Sequence, residues 1–510
     1  MNEAARPTAR AALRTLALAS LLGTLGACTV GPDFVRPSPP AVQRYTATDI
    51  PATMGADSGA AQSLEVGAAL SAQWWELFRS SKLDAVVSRA VADNKSLAAA
   101  RAALAQAQET VAAARGAYFP QVGFNASVSR RRSGTQVPGS GAANVISNVY
   151  ALGPTVSYAP DVFGATRRTV EQQQALARFQ GYELAAAYLT LTGNAVSQAV
   201  SMASLRGQIR ATEEVVANDE RNLSLVQEKY TVGKAAWIDV LTARTQLAAD
   251  RAALPALRQQ LSATRHALSI LAGSAPAGWS PPAFDLGDFT LPSALPLALP
   301  SELVRQRPDI LAAEAQLHAS SAAIGIATAQ LYPSITLSGS LGQQALSTAA
   351  LFQPASRYWS LSGDLLAPIF RGGTLRAQRR AAIEAYRASL ASYEQTVLQG
   401  LQQVADTLQA LQHDAQLVEA ERQILVNATA AVELQRISYA AGKTSLLTLI
   451  DAERSYQQAR LGFVRAQAQR LQDTAQLFVA LGGGWWQAGI DQPVGRADRR
   501  PRGAEVDTQG

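Results

Sequence analysis

One cysteine, three histidines and three methionines are all that 510 residues offer to thiol or metal chemistry. A single cysteine excludes an intrachain disulfide, and a zinc or iron–sulfur site lacks its ligand cluster. His266, His318 and His413 each stand without a histidine partner four residues on, so packing or surface roles suit them better than ligation. Gly-rich phosphate loops and G-x-S-x-G elbows are missing too, which leaves ATPase and hydrolase chemistry without a nucleus. The expectation is a protein that is not an enzyme. Charged residues make up only 16% of the chain, with a net charge of +6 and no basic stripe interleaved with aromatics. Nucleic acid is therefore not an expected partner; Arg130, Arg131 and Arg132 read as a loop and RADRRPRG near residue 500 as a solvated end. Beyond the first 27 residues nothing approaches the roughly 18 consecutive apolar residues of a membrane helix. Proline, finally, is absent from 161–254 and from 369–492, and such runs permit helices far longer than the globular average.

What is present begins with a leader. Arg6, Arg10 and Arg14 precede the apolar run LALASLLGTLGA, and Cys28 follows it directly. This has the layout of a secretory signal, too short to span a membrane. Leu25-Gly26-Ala27-Cys28 resembles the lipobox of bacterial lipoproteins, which implies that Cys28 carries covalent lipid as the first residue of the mature chain. A stable anchor takes two or more acyl chains, each buried methylene adding about 0.8 kcal/mol. Thr29 stands where inner-membrane retention uses aspartate, so the resemblance implies attachment to outer-membrane lipid. Without the leader the formal charge falls to +4.

The body is written twice. NKSLAAARAALAQAQETVAAARGAYFP, ending at Pro120, parallels RPDILAAEAQLHASSAAIGIATAQLYP, ending at Pro333, and YTVGKAAWIDVL from Tyr230 parallels YAAGKTSLLTLI from Tyr439. Apolar positions recur every seven residues at Tyr188, Ala195, Met202, Ile209, Val216 and Leu223, and again from Ile383 through Val397, Val404 and Leu411 to Val432. The two series are 209 residues apart, as are the two phrases, and Val240, Leu247 and Leu254 answer to Leu449, Tyr456 and Phe463. A strict heptad imposes a left-handed supercoil, so each half is expected to hold a coiled helical hairpin. The outgoing arm, about 65 residues, reaches on the order of 100 Å. Pro255 has no counterpart and is expected to kink its helix.

Between the helices lie segments of period two. VGFNASV at 122–128, YALGPTVSY at 150–158, ITLSGSL at 335–341 and WSLSGDL at 359–365 alternate apolar with small or polar residues, which reads as strand. Aromatics near their ends fit transmembrane β-strands. Open edges are not tolerated in lipid, and the smallest bacterial barrels have about eight strands, so four per chain demand an oligomer; a dimer and a trimer both satisfy that requirement. A soluble sheet with one wet face is the other reading of the same alternation.

In this order, CTVGPDFVRP at Cys28, QWWELFRSSKLDAVVSRAVADN at 73–94, RPDILAAEAQLHASSAAIGIATAQLYPSI at 307–335, the two Tyr-x-x-Gly turns and ALGGGW at 480–485 resemble the outer-membrane factor family of bacterial tripartite export systems, of the TolC/OprM/NodT type. The resemblance implies a membrane α+β fold: a homotrimeric outer-membrane β-barrel, four strands per chain, continued by a long periplasmic α-helical barrel of coiled hairpins. The divisions expected are a signal peptide at 1–27, an acylated segment with part of an equatorial domain at 28–93, the first repeat at 94–272, an equatorial linker at 273–306, the second repeat at 307–484 and a C-terminal tail at 485–510. The implied function is a passive exit duct for small molecules such as drugs, docking with a periplasmic adaptor (membrane fusion protein) and an inner-membrane RND-type pump. Gly233, Lys234, Gly442 and Lys443 then mark the tip turns that contact the adaptor, the lysines serving either as salt-bridge partners or as simple solvation. Tyr439, Asp239 and Asp451 stand where the family closes its duct, with helix capping as the other reading of the aspartates. Ile238, Thr444 and Thr448 replace polar partners or a second aspartate found in TolC-like members. A periplasmic coiled-coil adaptor or structural lipoprotein is the alternative from another class.

Overall fold

In a computed structural model of the chain, residues 29–48, 50–55, 61–68, 70–133 and 145–485 are described. Cys28, the Gly-rich stretch after Ser133 and the C-terminal tail lie outside them. The elements are β1 (Thr53–Met54), β2 (Gln62–Val66), α1 (Ser81–Asp93), α2 (Lys95–Gly116), β3 (Gln121–Ser133), β4 (Val145–Tyr158), α3 (Ala165–Thr231), α4 (Trp237–Leu271), β5 (Ala294–Leu297), α5 (Pro300–Gln306), α6 (Pro308–Ala329), β6 (Ser334–Ala345), β7 (Arg357–Leu366), α7 (Thr374–Ala440) and α8 (Leu446–Ala480). The Pro-free runs thus hold the long helices α3 and α7, each of 67 residues, with the first half of the 35-residue return arm α4 and the whole of its 35-residue counterpart α8. α4 runs as one helix through Pro255.

The chain forms two compact units, neither of which is one of the sequence repeats. The first takes in residues up to 36, 105–179 and 314–393; the second takes in 37–104, 180–313 and 394 onward. Each unit draws on both halves.

In the first unit β3, β4, β6 and β7 form one antiparallel sheet in that order. Its register puts Val122 opposite Val156, Val156 opposite Gly339 and Gly339 opposite Leu361, while Thr155 pairs with Ser340 and Ser340 with Ser360. Directly opposed residues share a face, so one side carries Val122, Phe124, Val128, Leu152, Leu341, Trp359 and Leu361, and the other carries serine, threonine and glycine. The apolar side is bare: Phe124 is 70% exposed and Leu361 78%. Residues 130–132, expected as a loop, are instead the end of β3, paired with Asn148, Ser147 and Ile146. The ladder extends past the apolar stretch, and arginine stems suit its end because they cover apolar surface while the charge reaches polar surroundings.

The N-terminal residues of this unit lie strapped along α3 and α6. Arg168, its side chain 5% exposed, donates to the Val30 and Gly31 carbonyls and pairs with Asp33 and Glu171. Glu171 also meets His318 Nε2 at 2.9 Å, and Phe34 stacks on that imidazole at 4.3 Å. Burial raises the Glu171 carboxyl, but the His318 and Arg168 contacts outweigh it and hold the group below its ordinary value. His318 is therefore a packing and pairing residue.

The second unit holds the main core. α1 is amphipathic: Leu83, Val86, Val87 and Ala90 recur at helical spacing and are buried, and Ser80 caps its first turn through Leu83 N. They pack with Trp74, Trp75, Phe78, Phe284, Leu295 and Phe478. A small sheet of order β1-β2-β5, its second pairing parallel, joins residues 53–54 and 62–66 to residues 294–297; the period-two reading does not pick it out. Arg307, opening the RPDI phrase, grips both oxygens of Asp309, at 3.0 and 2.6 Å, and donates to Ala480 O at 2.7 Å, closing the last turn of α8. In ALGGGW, Gly482 to Gly484 all have positive φ, and Trp485 Nε1 donates to Gln306 O. These phrases hold the fold together rather than forming a site.

Candidate functional site

Both hairpin turns lie in the second unit, and each follows from its sequence residue by residue. At the end of α3, Gly233 N donates to Tyr230 O at 3.0 Å and Lys234 N to Lys229 O at 2.7 Å; at the end of α7, Gly442 N donates to Tyr439 O at 3.0 Å and Lys443 N to Ser438 O at 2.9 Å. This double bond pattern is the Schellman closure, which needs a left-handed residue after the helix. Gly233 supplies it at φ 73° and Gly442 at φ 71°. Neither glycine has anything within 4 Å of where a Cβ would stand, so conformation rather than crowding selects glycine. Lys234 and Lys443 are the next residues, exposed at the turns. The far ends of the return arms repeat the device, Ser274 N donating to Ser269 O after Gly273 and Gly483 N to Phe478 O after Gly482, again 209 residues apart.

The returning helices are capped by two different means. Asp239 accepts from Ala236 N at 3.0 Å, whereas in the second turn the Ser445 hydroxyl accepts from Thr448 N at 3.3 Å. Ser445 is the repeat counterpart of Ala236 and Thr448 of Asp239, so each half makes a different half of a capping box: an inner carboxylate takes the N–H of the cap residue in one, and a cap hydroxyl takes the N–H three residues on in the other.

Tyr439 and Asp239 are brought together and Asp451 is not. Tyr439 is 8% exposed, packed with Val226, Val240, Ala243, Leu446, Leu449 and Ile450. The Lys229 ammonium lies 3.8 Å from its ring centroid. Burial and then the charge of Asp239 push the Tyr439 hydroxyl above its ordinary value. Asp451 is exposed on α8, and its carboxylate meets no hydrogen-bond donor or cation among the described residues.

Sequence reasoning passed over Lys229 and a second aromatic group. Tyr230, the counterpart of Tyr439, turns outward and packs on Trp237 at 5.3 Å, with the Arg244 guanidinium 5.4 Å from the Trp237 ring. Val232, Ile238, Leu434, Ile437 and Leu447 around the turns are each at least 60% exposed. The signal was available as apolar residues beside a glycine turn, where solvent-facing polar residues are the norm.

The profile of the outer membrane efflux protein family matches residues 86–274 and 299–483, the two repeats in turn. The chain belongs to that family. It is 30% identical to the pyoverdine export outer membrane protein OpmQ of Pseudomonas aeruginosa over 81% of this chain and 87% of that one. It is 26% identical to the cation efflux system protein CusC of Escherichia coli over 91% and 97%. The solved outer-membrane channel OprN superimposes with a TM-score of 0.80 at 29% identity, covering 90% of this chain and all of that one. The expected fold class therefore stands, and the protein is an outer-membrane channel component of an efflux system. The coiled-coil adaptor reading falls with the same match, since it has no place for the four-stranded sheet.

Proposed function

We propose that three copies of the chain close one barrel and one duct, through which solutes leave passively after delivery by a periplasmic adaptor and an inner-membrane RND-type pump. The carrying observation is the sheet itself, with an apolar face and outer edges on β3 and β7 that meet no further strand among the described residues. Such a sheet is stable in lipid only when its edges meet those of further copies. Two copies give eight strands, whose interior is about filled by side chains; three leave a lumen. Lipid on Cys28 anchors the chain in the outer membrane.

The periplasmic end is formed by the turns at Gly233, Lys234, Gly442 and Lys443, whose exposed lysines and neighbouring bare apolar side chains suit an adaptor. Tyr439 and Asp239 brace the closed turns from inside the protomer. Asp451, exposed and unpaired, is left to meet its symmetry copies, and a ring of carboxylates favours cations. Cargo is not selected by these residues: OpmQ is described by pyoverdine export and CusC by cation efflux, and selection belongs to the pump.

Cysteines placed singly along β3 and along β7 of one chain test closure in isolated outer membranes. The expected result is a cross-linked ladder that ends at three chains. A ladder ending at two, or continuing past three, overturns the trimer.

A further inference from the structure

Each long helix sends polar side chains into one buried network in the second unit. α3 supplies Asp219 and Asn222, α4 Gln246 and Asp250, α7 Arg436, and α8 Glu453, Arg454 and Gln457. Asp219, Asp250 and Glu453 are 5%, 8% and 6% exposed. Both oxygens of Asp250 accept from amides, Oδ2 from Gln246 at 2.6 Å and Oδ1 from Gln457 at 3.2 Å. Glu453 accepts from Asn222 at 2.7 Å and from Arg436 at 3.3 Å, and Arg454 donates to Gln246 Oε1 at 2.9 Å. Asp219 faces the Asp250 carboxyl, and its buried Oδ2 meets no donor among the described residues.

Two buried carboxylates in contact, one with an orphaned oxygen, are costly if both are charged. A proton on Asp219, donated to Asp250, removes the repulsion and leaves one charge on Asp250, held by the amides of Gln246 and Gln457. The described residues hold no group of three His, Cys, Asp or Glu placed to take a metal ion instead.

We propose that Asp219 and Asp250 form a proton-held clasp between the two arms of the first hairpin, and that loss of the proton loosens this hairpin toward its turn at Gly233. The consequence for conduction rests on the proposed reading of the turns as the closable end.

The charges facing the pair are few. Glu453 opposes ionisation and Arg454 favours it, Arg436 is engaged by Glu453, and the adjacent Glu220 and Arg251 pair with each other at 2.5 Å on the exposed side. Burial first, then the hydrogen bond and charge of Asp250, raise the Asp219 carboxyl to about 8. The closed hairpin therefore holds a proton that an opened, solvated carboxyl releases near its ordinary pKa of about 4. Opening is favoured as pH rises between those two values, by up to about tenfold per pH unit for one proton, and levels off above the upper one.

Hydrogen–deuterium exchange on the full-length channel in detergent, followed from pH 5 to 9 through peptides covering 215–226 and 243–254, tests the clasp. Protection factors divide out the intrinsic pH dependence of exchange. For the wild type they are expected to fall by up to about tenfold per unit between pH 5 and 7 and to flatten above about 8. Asp219→Asn keeps a donor toward Asp250 and cannot ionise, so its profile is expected to be flat; Asp250→Asn, if the first variant does not assemble, removes the paired charge but leaves Asp219 buried, so its sloping window is expected to narrow and to flatten at a lower pH than in the wild type. A flat wild-type profile, or a variant with the wild-type profile, overturns the clasp. Conductance in planar bilayers over the same pH range separates the two ideas. A rise seen in the wild type and absent from Asp219→Asn supports both. An exchange step without any change in conductance keeps the clasp and overturns the closable end.

Discussion

Replacing Gly442 with alanine isolates one contribution to the turn. The residue sits at φ 71° with open space around its missing Cβ, so the added methyl touches nothing and only backbone conformation changes in energy. An L-residue in the left-handed region costs about 1–2 kcal/mol, and alanine returns about 0.4–1 kcal/mol by restricting the unfolded chain. The net is about 1 kcal/mol against the closed turn, or about a fivefold rise in its local opening. Both closing hydrogen bonds, Gly442 N to Tyr439 O and Lys443 N to Ser438 O, remain possible, so the turn weakens rather than dissolves. Asparagine tolerates the left-handed region better and falls between glycine and alanine, while valine, branched at Cβ, costs most. Tryptic cleavage after Lys443, timed by mass spectrometry and normalised to cleavage of the denatured chain, reads the opening. The expected order of rates is glycine, asparagine, alanine, valine. Gly116→Ala is the control: its site at the end of α2 is equally open, without positive φ, and there alanine is neutral or stabilising. If Gly442→Ala behaves as Gly116→Ala does, conformation is not what selects glycine at the turns.

Two further outcomes follow from the same structure. Tyr439→Ala empties a place lined by six buried apolar side chains and costs about 3–5 kcal/mol, seen as lost protection of both turns in hydrogen exchange, whereas Asp451→Ala, on an exposed and unpaired group, stays within about 0.5 kcal/mol; a change in closed-state current on Asp451→Ala thus reports the gate alone, and an unchanged current removes Asp451 from it. Arg168→Ala strips the partner from Asp33, Glu171 and two backbone carbonyls at about 1–3 kcal/mol, the cost of lost charged hydrogen bonds, since Asp33 is solvated and Glu171 keeps His318; Phe34 then becomes a site of rapid chymotryptic cleavage, and cleavage as slow as in the wild type refutes the strap as a fixed element.

The long helices and the membrane sheet were legible because each rests on a period sustained over many residues. Heptads in α3 and α7 and alternation in β3, β4, β6 and β7 repeat at a 209-residue offset or pair in register, so an error at one position is corrected by its neighbours. β1, β2 and β5 carry no such redundancy: strands of two, five and four residues take their pairing from the core around Trp74 and Phe478. The arginines at 130–132 were misread as a loop because local charge outweighed the ladder, which only the partner strand reveals. At the turns, sequence identified Gly233 and Gly442 but not their closing bonds, and it grouped Asp451 with Tyr439 and Asp239 by position alone.

The acid clasp was within reach of the same register. Counting on three residues from the heptad positions Val216 and Leu247 lands on Asp219 and Asp250, both at the second apolar place of the heptad. The count from Leu411 lands on Asp414; the Phe463 series itself continues to Arg470, and three on from there is Asp473. Asp414, too, is buried with an orphaned oxygen, and burial with the adjacent Asp473 pushes its carboxyl up to about 7. A coiled hairpin that only needed stability has no use for carboxylates there, since apolar replacement of buried charge is commonly neutral or stabilising. Polar residues at such places are known for fixing register at a cost in stability. Here the cost depends on a proton, because an acid pair is satisfied when it shares one and strained when it does not. A core built this way holds its register at low pH and yields it as pH rises, at no more than about 1.4 kcal/mol per unit for each group. Apolar heptads thus specify where the helices lie, and the acids among them specify under what conditions they stay there.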